Sequence, residues 1–199
     1  MHHRLQLLAL AALLGTSAGA PALAQNKPVK EANKLNKKRI KAGIVNPSFT
    51  KAQLKYDSDF ATAATSDNLL ASALSALAVQ KVTALEIKDF AKQTDADHTQ
   101  LQSQLQAVVG RSGLALPKMM SHDDRKIYDD VDDRKYLGFD KKYLREMGEL
   151  HERAIKRCAE AAEKASTPEL RTYAAETLPK LRAHSTHIAE LYKRANERK

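Results

Sequence analysis

From about residue 57 onward the chain repeats apolar positions with the period of an α-helix. Phe60, Ala63, Ala64, Leu70, Leu74 and Leu77 recur at three- and four-residue steps, one side of a helix that Asp57 or Ser58 can cap and that runs to about Lys81. Ile87, Phe90, Ala91, Thr94, His98, Leu101, Leu105 and Val108 form a second stripe over Thr83 to Val109. A third holds Leu144, Met147, His151, Ala154, Ile155, Cys158 and Ala162, with Asp140 as its cap and Phe139 and Leu144 placed as a hydrophobic staple. The fourth runs through Leu170, Tyr173, Ala174, Leu178, Leu181, His184, Ile188 and Leu191. It opens on Thr167 as cap and Pro168 at the first helical position, and Pro179 should bend it one turn before His184.

The connections constrain how these helices meet. Thr83 and Glu86 have capping-box spacing, so the link between the first two helices is short and makes them antiparallel neighbours. From Gly110 to Phe139 the connection is long, and a short helix around His122 to Leu137 should carry it along the bundle. Its acidic cluster, Asp123, Asp124, Asp129, Asp130, Asp132 and Asp133, lacks the glycine and terminal Glu of a calcium loop. Pairing with Arg125, Lys126, Arg134 and Lys135 on a surface face is the expectation.

Composition agrees with an all-α class: there is no Trp, aromatic residues are 5%, and Gly numbers 7 in 199 residues. At the N-terminus, Arg4, the apolar run from Leu5 to Leu14 and the small residues Ala22 and Ala24 have the layout of a secretory signal over residues 1–24, cleaved near Ala24. The mature chain, without a transmembrane segment, would then be periplasmic or secreted. Cys158, the single cysteine, forms no internal disulfide and reads as a small buried hydrophobe.

The formal charge of +9 favours anionic envelope surfaces over nucleic acid for an exported chain. Residues 25–57, with Lys34, Lys37, Lys38 and Arg39 among their cations, read as a basic, partly disordered arm that could dock on such a surface, with a turn or two of helix near Val29 to Ala42.

Three histidines stand on apolar stripes. At 1.5 Å rise per residue, His98 lies roughly 22 Å from the start of its helix, His151 roughly 17 Å from the start of its own, and His184 roughly 18 Å from the far end of its antiparallel helix. They therefore share a layer. Inward imidazoles at one height suit zinc, copper, iron or manganese, with Asp95, three residues before His98, able to join them. Asp97, Glu149 and His187 lie at the rim. The competing reading is structural: each ring bonds a neighbour such as Tyr143, Tyr173 or Thr94 and fixes helix register. Serine-nucleophile motifs and phosphate-binding glycine loops are absent, and Cys158 is two turns from His151.

The segments FATAA from Phe60, IKDFAKQTDADHTQLQSQL from Ile87, FDKKYLREMGELHERAI from Phe139 and LPKLRAHSTHIAEL from Leu178 resemble the exported bacterial domain of unknown function 4142, often labelled a predicted outer-membrane protein. The resemblance covers about Asp59 to Leu191. It rests most on Asp97 with His98, on Phe139, Asp140 and Tyr143, on His151, and on Leu178, Pro179, Leu181 and His184. It implies a ferritin-like four-helix bundle over residues 58–197, with a long crossover between helices two and three and a site in its core. Outer-membrane association would fit the same label.

One departure bears on chemistry. The family's Glu in helix one falls near Leu70, where this chain reads SDNLLASAL, and neither His98 nor His184 follows a Glu at the three-residue spacing of di-iron bundles. The expectation is an exported envelope protein that holds one transition-metal ion in its bundle core and leans away from enzymatic function. Alternatives are a metal-dependent ferritin-like oxidoreductase and a scaffold docking on anionic envelope components.

Overall fold

The computed structural model describes residues 28–198, and these are all helical in regular structure: α1 (Pro28–Lys41), α2 (Lys51–Lys81), α3 (Leu85–Gly110), α4 (His122–Asp132), α5 (Tyr136–Lys164) and α6 (Pro168–Glu197). The expected signal segment lies outside the described residues. The four long helices pack in a ring, α2 against α3 and α5, and α6 against α5 and α3.

Cross-helix bonds fix their directions. Asn68 meets His98 while Ser72 meets Asp95, so α2 and α3 run antiparallel. Asp57 accepts from the Ser166 amide and Ser75 meets Tyr143, so α2 and α5 are antiparallel too. It follows that α3 and α5 are parallel, joined by the crossover that carries α4. Two apolar clusters fill the interior, one around Phe60, Leu105, Cys158 and Tyr173, the other around Leu74, Phe90, Met147 and Leu191.

Four local expectations change. The helix expected to start at Asp57 or Ser58 begins at Lys51, because Thr50 and Gln53 form the capping box, and both expected caps are buried inside α2. The stretch expected as an arm with only a turn or two of helix contains all of α1, which buries Ala32, Asn36 and Ile40 at four-residue steps against the rest of the molecule. Asn36 makes this possible: its amide donates to Ser58 Oγ and to the Ala115 carbonyl at 2.9 Å each, and its Oδ1 accepts from the Ala115 amide at 2.6 Å.

The Thr83–Glu86 capping box does not form, and Asp140 is not a cap. They give way to one long-range pair, in which Thr83 donates its amide (3.0 Å) and hydroxyl (2.7 Å) to the fully buried Asp140 carboxylate inside α5. Glu86 pairs instead with Arg194 and Arg198. The caps of Ser121 on α4 and of Thr167, with Pro168, on α6 are side-chain caps.

In the acidic cluster, Arg125 pairs with Asp129 and Arg134 with Asp130, each at 2.8 Å across one helical turn. Asp124 differs. It is buried, accepts from Arg153 at 2.6 Å, and bonds Ser66 and Ser121, while Arg153 and Arg157 both grip Asp67. Burial pushes the Asp67 carboxyl upward and the two guanidinium groups oppose it. This network fastens α4 to α2 and α5. Asp67→Ala removes the buried carboxylate that holds two partly exposed guanidinium groups and should cost roughly 1–3 kcal/mol in urea unfolding, whereas Asp129→Ala on the exposed face should cost less than about 1 kcal/mol. Equal, small losses would show that the network contributes little.

Candidate metal centre

The apolar stripes that build the bundle also bring the three histidines together. His98 on α3, His151 on α5 and His184 on α6 are 2%, 0% and 7% exposed, and one ring nitrogen from each lies within 4.8 Å of the other two. His98 Nε2 is 3.3 Å from His151 Nε2, which is 3.2 Å from His184 Nδ1. The rings meet edge to face or tilted rather than stacked.

What the other three nitrogens touch decides the chemistry. His98 Nδ1 is 3.1 Å from Asn68 Oδ1, and the Asn68 amide points the other way, to Tyr173 Oη and Gln102 Oε1. His151 Nδ1 is 2.8 Å from the Met147 carbonyl. His184 Nε2 is 3.0 Å from Asp97 Oδ2. Each of these partners accepts only, so each outer nitrogen carries the proton and donates it outward. The three inner nitrogens are left with bare lone pairs that converge.

Nothing in the layer gives them a proton. Burial, with His151 and His184 nearby, pushes His98 well below the ordinary imidazole range. Burial likewise lowers His151 from 6.5 to about 4, against the opposing bond to Met147. His184 is lowered by burial although Asp97 pulls it the other way. Burial would raise the Asp97 carboxyl, but bonds from Lys180, Gln93 and His184 outweigh it and hold Asp97 ionised. Three neutral imidazoles, backed by a carbonyl, an amide and a carboxylate, make a donor set that could hold a cation.

A family model for the Domain of unknown function (DUF4142) matches residues 46–191. The chain belongs to the DUF4142 family. No curated protein and no solved structure matches the chain. The matched stretch of this DUF4142 protein contains all three histidines and their outer partners, whereas α1 precedes it.

Other residues singled out from the sequence are placed elsewhere. Asp95 turns to α2 and accepts from Ser72, so the carboxylate at the triad is Asp97. Glu149 is exposed, and His187, also exposed, packs against Phe90 at 4.9 Å between ring centres. Tyr143 bonds Ser75, Thr94 bonds the Phe90 carbonyl and Tyr173 reaches Asn68, so none of the three is the partner of a triad ring. Asn68 had no signal beyond being a polar residue beside an apolar stripe. Lys34, Lys37 and Lys38 are exposed, while Arg39 donates to the Gly113 carbonyl at 2.9 Å.

A pH dependence follows for the metal-free protein. With His151 near 4 when folded and 6.5 when unfolded, the unfolded chain binds the extra proton between those values. The contribution is complete above pH 6.5 and is lost as pH falls toward 4, by roughly 3 kcal/mol at 1.36 kcal/mol per unit. Thermal melts over that window should slope less steeply with pH in His151→Gln than in wild type. Identical slopes would mean that His151 is not held neutral by the fold.

Proposed function

We propose that this protein is an exported, ferritin-like bundle that binds one transition-metal ion through His98 Nε2, His151 Nε2 and His184 Nδ1. The observation that carries the reading is the convergence of three lone pairs whose outer nitrogens are each held by an acceptor. Nitrogens bound at ~2.0–2.1 Å to a tetrahedral ion lie roughly 3.3 Å apart, which suits the 3.3 and 3.2 Å separations of this triad. Imidazole donors favour zinc, copper, iron or nickel over magnesium or calcium.

The ferritin-like assignment is supported by parallel α3 and α5 and by the long crossover between them. Export is supported by the signal-like residues 1–24, and no helix among the described residues is long and apolar enough to cross a membrane. A binder is favoured over a di-metal oxidoreductase by the donors themselves. Bridging carboxylates are the mark of that chemistry, and here α2 presents Asn68 and Leu70, while Asp97 uses its oxygens on His184, Gln93 and Lys180.

Protein purified without a histidine tag should retain close to one equivalent of metal by elemental analysis, and His151→Ala should lose it while keeping its helical circular dichroism. Wild-type protein that takes up none of zinc, copper, iron, nickel or manganese would overturn the proposal. Asp97 is a positioning residue, since it sets which His184 nitrogen faces inward. Asp97→Asn should weaken metal affinity by roughly 10–100-fold in competition with a chelator while leaving one site per chain. Unchanged affinity would remove that role.

A further inference from the structure

The second feature lies far along the sequence from the triad, where α1 meets the start of α2. Lys30, Lys34, Lys37 and Lys41 recur at four-, three- and four-residue steps on α1 and face Lys51 and Lys55 of α2. Between them runs a groove of about 680 Å³ whose lining also includes Ile40, Asn33, Ser58 and one carboxylate, Asp59. Only Lys55 has a carboxylate partner, Asp59; among the described residues the other five lysines form no ion pair.

Such an arrangement opposes its own folding. Lys30 with Lys34, Lys37 with Lys41 and Lys51 with Lys55 are like charges one turn apart, which destabilise a helix where a Glu partner would support it. The groove is also amphipathic, because lysine stems and Ile40 offer apolar surface beneath the ammonium groups. Asn33 Oδ1 is engaged by Ser58 at 3.2 Å and Thr62 at 2.9 Å, and its amide, with no hydrogen bond among the described residues, remains a donor in the lining.

We infer that the α1–α2 groove is a binding site for anionic phospholipid, with the phosphate among the lysine ammonium groups and the glycerol and acyl part along the apolar floor. Six lysines against the single carboxylate of Asp59 leave a cationic excess that fits phosphate. A floor of methylene and Ile40 fits a lipid better than a free anion. The preceding residues 1–27 contain no Asp or Glu, so they cannot supply the missing charge, and a second copy of a chain with net charge +9 would be repelled. Of the groove's lysines, Lys30, Lys34, Lys37 and Lys41 precede the family match at residues 46–191, and Lys51 and Lys55 lie inside it. The groove refines the sequence-based set: Lys34 and Lys37 belong to it, while Lys38 does not line it and Arg39 is engaged by Gly113.

Cosedimentation of the full chain with phosphatidylglycerol and phosphatidylcholine vesicles at low and high salt tests this. Salt-sensitive binding to phosphatidylglycerol is expected, and Lys34→Gln/Lys37→Gln/Lys51→Gln should weaken it by about tenfold or more. A charge-matched control, Lys126→Gln/Lys156→Gln/Lys193→Gln, replaces exposed lysines elsewhere and should change it less than about twofold. Equal losses in the two triple variants would reduce the effect to net charge and overturn the site. Equal binding to the two lipids, or capture of soluble polyphosphate without vesicle binding, would overturn the lipid assignment.

Discussion

Three imidazoles in this protein face one another through nitrogen lone pairs, with every ring proton turned outward. That single constraint organises the bundle. The apolar interior divides into two clusters, and the residues between them are Asn68, His98, His151 and His184, with Asp97 at the edge. Burying three such rings gives up their hydration, and only the outer nitrogens recover a partner. A layer of leucines at these positions would avoid that cost, which the proposed metal ion would offset at the inner nitrogens. Each of the four long helices contributes a ring or the partner of a ring.

How far this could be read from the sequence depends on the range of the interaction. The four long helices and the shared height of the histidines follow from periodicity and rise per residue, which are local properties. Partners across helices are not local. Asp95 shares the edge of His98 in a helical-wheel sense, yet it faces α2, whereas Asp97, one position before His98, faces α6 and accepts a hydrogen bond from His184 Nε2. Thr83 and Asp140 each resemble a cap for their own helix, but they satisfy one another across 57 positions in sequence. The density of lysine in α1 concealed a short stripe of Ala32, Asn36 and Ile40, because a buried Asn in its centre reads as polar until its backbone partner at Ala115 is known.

The charges sort into two kinds with opposite consequences. Around Asp67, Asp124, Arg153 and Arg157, two buried carboxylates and two partly buried guanidinium groups satisfy one another and fix the crossover helix to α2 and α5. Along α1 and the start of α2, like charges stand together in solvent. The first arrangement specifies the fold. The second adds nothing to it, and the proposed anion would supply its counter-charge, which puts the two proposed ligands of this protein, a cation among α3, α5 and α6 and an anion between α1 and α2, on independent structures.

The triad also bears on how the bundle holds together. Short links make two antiparallel pairs, α2 with α3 and α5 with α6, and the long segment through α4 joins them. His98, with Asn68 behind it, belongs to the first pair; His151 and His184 belong to the second. Without a cation, the contact between His98 and His151 across the pairs is two lone pairs at 3.3 Å, a mildly repulsive element in an otherwise apolar interface. The proposed ion would replace that repulsion with bonds from both pairs and so tie them to each other. Because the unfolded chain does not hold the three nitrogens in register, that binding energy adds to folding stability in proportion to the logarithm of free metal concentration. Occupancy of the proposed site would thus alter the docking of the halves more than the helices within either one.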